Sequence, residues 1–263
     1  MEWAQFDEEG AMRQRYLDID DRTEDVKDLI ETSEWSWDDF QEMYDISWLY
    51  HENGLEGVVL TYPEIKSAVD NKIVSDVSLL PTYQHIKNQK WCIDQIREKA
   101  RSKRAQVTVS FLKEMHGVLV DDPEEVGVYR KDIPIHRTYF HEIAQPKDIP
   151  TKLTKTLDYL KARHDRDMHP IELAANVHHR FMHSFPFSRF SGMIGRLLTN
   201  FVLARYEYLP TVIHASDRQR YYEALRGPER EFRVFIAETM ENSLENAVRF
   251  FSNENSDTAR LGA

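Results

Sequence analysis

The sequence holds 263 residues, 41% hydrophobic and 30% charged, enough for one large domain, or a domain with an appendage, around a sizeable core. Its 45 acidic against 34 basic side chains give a net charge of −11, a field that repels phosphate backbones and argues against general nucleic-acid binding. A single cysteine, Cys92, excludes an internal disulfide. No run nears the roughly eighteen apolar residues of a membrane span, and Met1 to Glu8 lacks the basic and apolar regions of a signal peptide, so the expected location is cytoplasmic, away from membranes.

In chain order, residues 1–50 are acidic and Trp-containing and read as an N-terminal helical extension. Thr61-Tyr62-Pro63-Glu64 combines a capping hydroxyl, an early proline and a glutamate at the third helical position, which predicts a helix over 63–70. Cys92, between Trp91 and Ile93 in a helical pattern, reads as a buried thiol, and the basic run Arg97–Arg104 as a solvated helix face. Residues 127–140 alternate and are rich in β-formers, bounded by Asp121-Asp122-Pro123 and Gln145-Pro146. They predict a short β-hairpin on an otherwise all-α chain. Leu153, Leu157 and Leu160 share one helix face. Leu173, Val177 and Phe181 share another, on a helix opening after His169-Pro170. Residues 195–206 are apolar nearly all round, as in a helix at the centre of a domain. Phe232, Phe235, Ile236, Met240, Leu244, Val248 and Phe251 form a final stripe, and 252–263 is a polar tail.

Several landmarks fall in one order: Glu56-Gly57 before the capped helix, Gly127-Val128-Tyr129-Arg130 leading the hairpin, the helix from His169 to Phe181, Pro186-Phe187, Gly195-Arg196-Leu197-Leu198, and Arg218 with Tyr221 to Leu225. No piece is specific alone. Together, over 51–251, they resemble the Fic family, a mainly helical bundle with a hairpin flap.

The resemblance implies enzymes that transfer AMP from ATP to protein hydroxyls. The family loop reads His-Pro-Phe-x-(Asp/Glu)-Gly-Asn-Gly-(Lys/Arg)-x-x-Arg. Its His is the general base and its acid holds Mg²⁺. Its glycines let backbone N–H groups close on phosphates, and its last Arg clamps the outer phosphate. Here the loop, 185–196, reads Phe185-Pro-Phe-Ser-Arg189-Phe190-Ser191-Gly192-Met193-Ile-Gly195-Arg196. Phe185 stands at the base position and Arg189 at the metal acid, so no metal ligand is assigned and Mg²⁺ is not expected. His183 is a weak substitute base: two residues back along a helix is about 200° round. Arg189, Ser191, Gly192, Gly195 and Arg196 are the candidate nucleotide contacts, with ATP the implied co-substrate.

In the family, a segment (Ser/Thr)-x-x-x-Glu-(Gly/Asn) lies over the nucleotide site, and its Glu pairs with the last Arg. Residues 51–57 occupy that place, with Glu56 as the inhibitory carboxylate, although Glu52 replaces the hydroxyl residue and Asn53-Gly54 weakens the helix. The flap, 127–146, would align a protein or peptide target through Ile135, His136, Arg137 and Thr138. His178, His179 and His183 invite a metal reading, but Arg180 stands where a metalloprotease would need Glu. Two functions stay open: an adenylyltransferase relative, weakened or inactive, or a non-catalytic protein- or peptide-binding module. Self-association is also left open.

Overall fold

The computed structural model describes residues 2–72, 76–102, 104–134, 141–163 and 168–252. Among them stand ten α-helices: α1 (Glu2–Thr32), α2 (Trp37–Leu55), α3 (Tyr62–Val69), α4 (Leu80–Arg101), α5 (Val109–Leu119), α6 (Ile149–Arg163), α7 (Pro170–Ser184), α8 (Ser191–Arg205), α9 (Arg218–Arg226) and α10 (Glu229–Phe251). No helix among them is long and apolar enough to cross a membrane.

Helix α8 is the axis of the bundle. Every residue from Ser191 to Leu203 is buried, between α7 on one side and α4 on another. Gly195 permits the α7 approach: a Cβ there would lie 3.1 Å from Met182 Sδ and 3.2 Å from Phe181 Cδ1. The capping box of α3 closes as its sequence requires, with Thr61 and Glu64 each bonding the other's backbone N–H. His169 caps α7, with Pro170 in its first turn. Cys92 is fully buried in α4, and burial pushes its thiol up to about 12, so it is inert.

Two expectations need correction, and the N-terminal helical extension is tied into the bundle. Residue 50 lies inside α2. Helix α1 buries Tyr16, Ile19 and Val26, packs on α10, and joins it through Arg15, whose Nε and Nη2 each donate to Glu241 at 2.6 Å. The basic run is not wholly solvated, because Arg97 forks onto the buried Asp45 carboxylate. No strand occurs among the described residues of the expected hairpin. Their backbone donors go elsewhere: Arg130 N–H donates to Pro186 O at 3.0 Å and Ala144 N–H to His183 O at 2.8 Å. A ladder between the two arms would need those same groups. Ile135, His136, Arg137 and Thr138 lie outside the described residues.

Asn53 and Gly54 do not break α2 but dock it. Asn53 exchanges amide hydrogen bonds with Gln89 on α4, and a Cβ on Gly54 would stand 2.7 Å from Ala215 Cβ. Gly54→Ala is therefore expected to destabilise the chain by about 1–3 kcal/mol through overpacking, against the ~1 kcal/mol that helix propensity alone would add. The denaturation midpoint checks the sign. A rise would mean the helix can give way at Ala215.

Candidate functional site

Helix α7 ends at Ser184, and Phe185 turns the chain with φ +39°, ψ +67°, its N–H donating to Phe181 O at 2.9 Å. The Phe185 ring is 1% exposed and lies 6.3 Å, edge-on, from the His141 ring. Arg130, also buried, straps this turn. Its Nε donates to Phe185 O at 2.7 Å, Nη1 to Asp132 O at 2.9 Å, and Nη2 to Ala144 O. Phe187 stacks on His116 at 4.1 Å, and Ser191 closes the loop on itself. Ser191 Oγ accepts from Phe187 N–H and donates to Phe187 O, both at 2.8 Å.

Phe190 precedes α8 with φ +61°, the left-handed backbone that glycine adopts freely and phenylalanine resists. The loop thus keeps a glycine-type backbone with a bulky side chain on it, and that ring packs on His85. Arg189 is exposed, its guanidinium 4.9 Å over the Phe190 ring.

The charged centre of the site is Arg196, one turn into α8 and 5% exposed at its side chain. Glu52, in the last turn of α2, and Glu56, its C-cap, meet it. Arg196 Nε donates to both Glu52 oxygens at 2.9 Å, and Nη2 donates to Glu52 Oε1 and, at 2.7 Å, to Glu56 Oε1. Burial alone would lower the arginine's pKa, but the Glu52 carboxylate overrides it and holds the guanidinium well above its ordinary value.

The helix end makes this meeting possible. Gly57, at φ +84°, carries a Schellman turn in which Val58 N–H donates to Asn53 O and Gly57 N–H to Gly54 O. Arg218 Nε caps Leu55 O at 2.9 Å. Gly192 leaves room for the ions: a Cβ there would lie 2.9 Å from Glu56 Oε1 and 3.0 Å from Arg196 Nη1.

Of the candidate site residues, Glu56, Gly192 and Arg196 lie together, and Glu52, not among the candidates, joins them. The signal was present: two glutamates four apart share a helix face and repel unless a cation answers both. Arg189 and Ser191 stand apart from the ion cluster, and Gly195 faces α7.

Each histidine of the suggested cluster has its own protein partner. His178 is fully buried. Thr199 Oγ1 gives its proton to Gly195 O, so His178 Nδ1–H donates to Thr199 at 2.7 Å and Nε2 accepts from the Tyr221 hydroxyl at 2.8 Å, which makes the ring neutral. His179 Nε2 bonds Gly227 O and His183 Nε2 bonds Leu225 O, each at 3.1 Å. Burial lowers the pKa of both. His183 thus engages α9, and the histidine nearest the Phe185 ring by the contacts above is His141, which residue order did not single out. Among the described residues no three His, Cys, Asp or Glu side chains gather as a metal-holding group.

Residues 106–203 match the Fic/DOC family model. Protein adenylyltransferase Fic of Culex quinquefasciatus is 28% identical over 208 residues, which cover 76% of this chain and 41% of that protein. The chain thus spans about two fifths of the length of the curated relatives it matches. Two solved structures share the fold. One is a Fic domain containing signaling protein from Bacteroides thetaiotaomicron (TM-score 0.76, 24% identity, 91% of this chain and 98% of that one). The other is Fic-1 from C. elegans (TM-score 0.77, 19% identity, 94% and 74%).

Proposed function

We propose that this chain is a nucleotide-binding Fic-fold protein in which AMP transfer by the family's base-and-metal route is weak or lost. The observation that carries the reading is Phe185: an apolar ring, buried at the position of the family's base, which can take no proton. Loss of a positioned base alone costs about 10²–10⁴ in rate. His183 does not replace it, because its Nε2 bonds the Leu225 carbonyl.

The residues also do not fit a divalent cation. Arg189 stands at the metal-acid position, and the two carboxylates of the ion cluster, Glu52 and Glu56, are bound to Arg196. What the chain carries is a buried arginine one turn into α8, beside Gly192 of the first turn, an arrangement that suits a phosphate-bearing ligand. ATP is the ligand of choice because the Culex relative is an adenylyltransferase. A non-catalytic protein- or peptide-binding role on the same fold is the second reading, and the strap of Arg130, which fixes both ends of segment 132–144, supports it.

Incubation with labelled ATP and Mg²⁺, with and without candidate protein acceptors, is expected to give no self- or acceptor modification above the no-enzyme background. Robust transfer that survives Phe185→Ala and disappears in His183→Ala would overturn the reading and make His183 the base.

A further inference from the structure

Two carboxylates hold Arg196, and they are not equivalent. Glu52 is 2% exposed and takes the guanidinium in a fork, through Nε and Nη2. Glu56 is 27% exposed, sits at the cap of α2 rather than within it, and takes a single bond from Nη2. Fork geometry in a buried setting gives the strongest ion pairing, whereas an edge carboxylate with one bond trades readily with water or another anion. The three side chains together carry a net charge of −1, and removal of Glu56 brings the cluster only to zero.

We propose that Glu52 is the residue that denies Arg196 to a ligand's outer phosphates, with Glu56 the displaceable outer member of the pair. This rests on the nucleotide-site reading above. As built, the site tolerates a nucleotide with few charges at the Arg196 end and disfavours a triphosphate there. The position of Glu52 is what sets that preference: four residues before Glu56, it lies one helical turn deeper along the same face and reaches the inner edge of the guanidinium. A short hydroxyl residue at 52 could neither neutralise Arg196 nor span that distance.

The test is calorimetric titration with two probes, ATP and AMP, without metal, against the wild type, Glu56→Gly, Glu52→Gln and the double variant. Glutamine keeps the shape of Glu52 and removes its charge. The expected result is a gain in ATP affinity of no more than about threefold for Glu56→Gly and at least tenfold for the double variant, with AMP affinity unchanged throughout. A full gain from Glu56→Gly, with nothing added by Glu52→Gln, would overturn the proposal.

If neither probe binds any variant, the nucleotide-site reading fails, and ion-pair coupling then decides the role of Glu52. Double-mutant cycles of Arg196→Met with Glu52→Gln and with Glu56→Gln, read from denaturation midpoints, should give the larger coupling for Glu52. Equal couplings, or a larger one for Glu56, reject the assignment. Should Arg196→Met fail to fold, Arg196→Lys serves in the same cycles, because lysine keeps the charge and loses the fork.

Discussion

Arg130→Ala is expected to lower stability by about 3–5 kcal/mol, among the largest effects of any single substitution in this chain. The side chain is 5% exposed and its donors end on three backbone carbonyls, those of Phe185, Asp132 and Ala144. Hydrogen bonds from a charged donor contribute roughly 1.5–3 kcal/mol each, and truncation leaves the acceptors unmatched. No carboxylate shares the guanidinium among these contacts, and burial lowers its pKa, so the carbonyls alone hold the charge in place. Loss of the strap should also loosen the turn at Phe185, visible as faster hydrogen exchange at the Phe185 and Ala144 amides. Arg130→Lys, with one donor head for three acceptors, should fall between. A loss below about 1 kcal/mol for the alanine variant would mean the loop is held by packing alone.

Local signals carried most of the helices. The capping pair Thr61 and Glu64, the His169-Pro170 opening and the all-apolar run of α8 each depend on residues within one or two turns, so the sequence exposes them directly. What it did not expose are choices made across the fold. Residues 127–140 alternate like a strand, yet Arg130 N–H and Ala144 N–H bond the loop and the end of α7, and no hairpin ladder forms among the described residues. Asn53-Gly54 looks like a helix weakness and serves instead as a contact with Gln89 and Ala215.

In the site, the order of motifs brought Glu56 and Arg196 together across 140 residues. In the sequence, Glu52 stands out only as a departure from a family hydroxyl. Its role depends on Arg196 approaching α2 with the inner edge of its guanidinium, a fact of packing. Phe185 and Phe190 make a related point: both stand in left-handed backbone, a conformation that a phenylalanine in the sequence does not announce.

Stability is expected to fall steeply as pH drops from about 6.5 toward 4, because the core stores neutral histidines. His116, His178 and His179 are all buried, and burial lowers each pKa, that of His116 to about 4. Arg196 lowers His178 further, and His183 does the same for His179. Between the two values the unfolded chain binds protons that the folded chain refuses. The stabilisation is therefore complete above the unfolded value, near 6.5, and is lost as pH falls toward the folded one. A group that titrates differently in the two states contributes up to about 1.4 kcal/mol per pH unit, so His116, with its folded value near 4, sets a slope of that order between its two values, and His178 and His179 act in the same direction.

Denaturant titrations at half-unit intervals from pH 7.5 to 4.5 measure the slope. His116→Asn isolates one group, since an amide oxygen can still accept from Gly127 N–H, the bond His116 Nδ1 makes at 3.1 Å. Loss of the stack on Phe187 lowers the asparagine variant's stability at every pH, but only the missing proton changes the slope, by about 1.4 kcal/mol per unit. A slope equal to the wild type's would mean that His116 titrates alike in the folded and unfolded chain, and that the acid sensitivity comes from other groups.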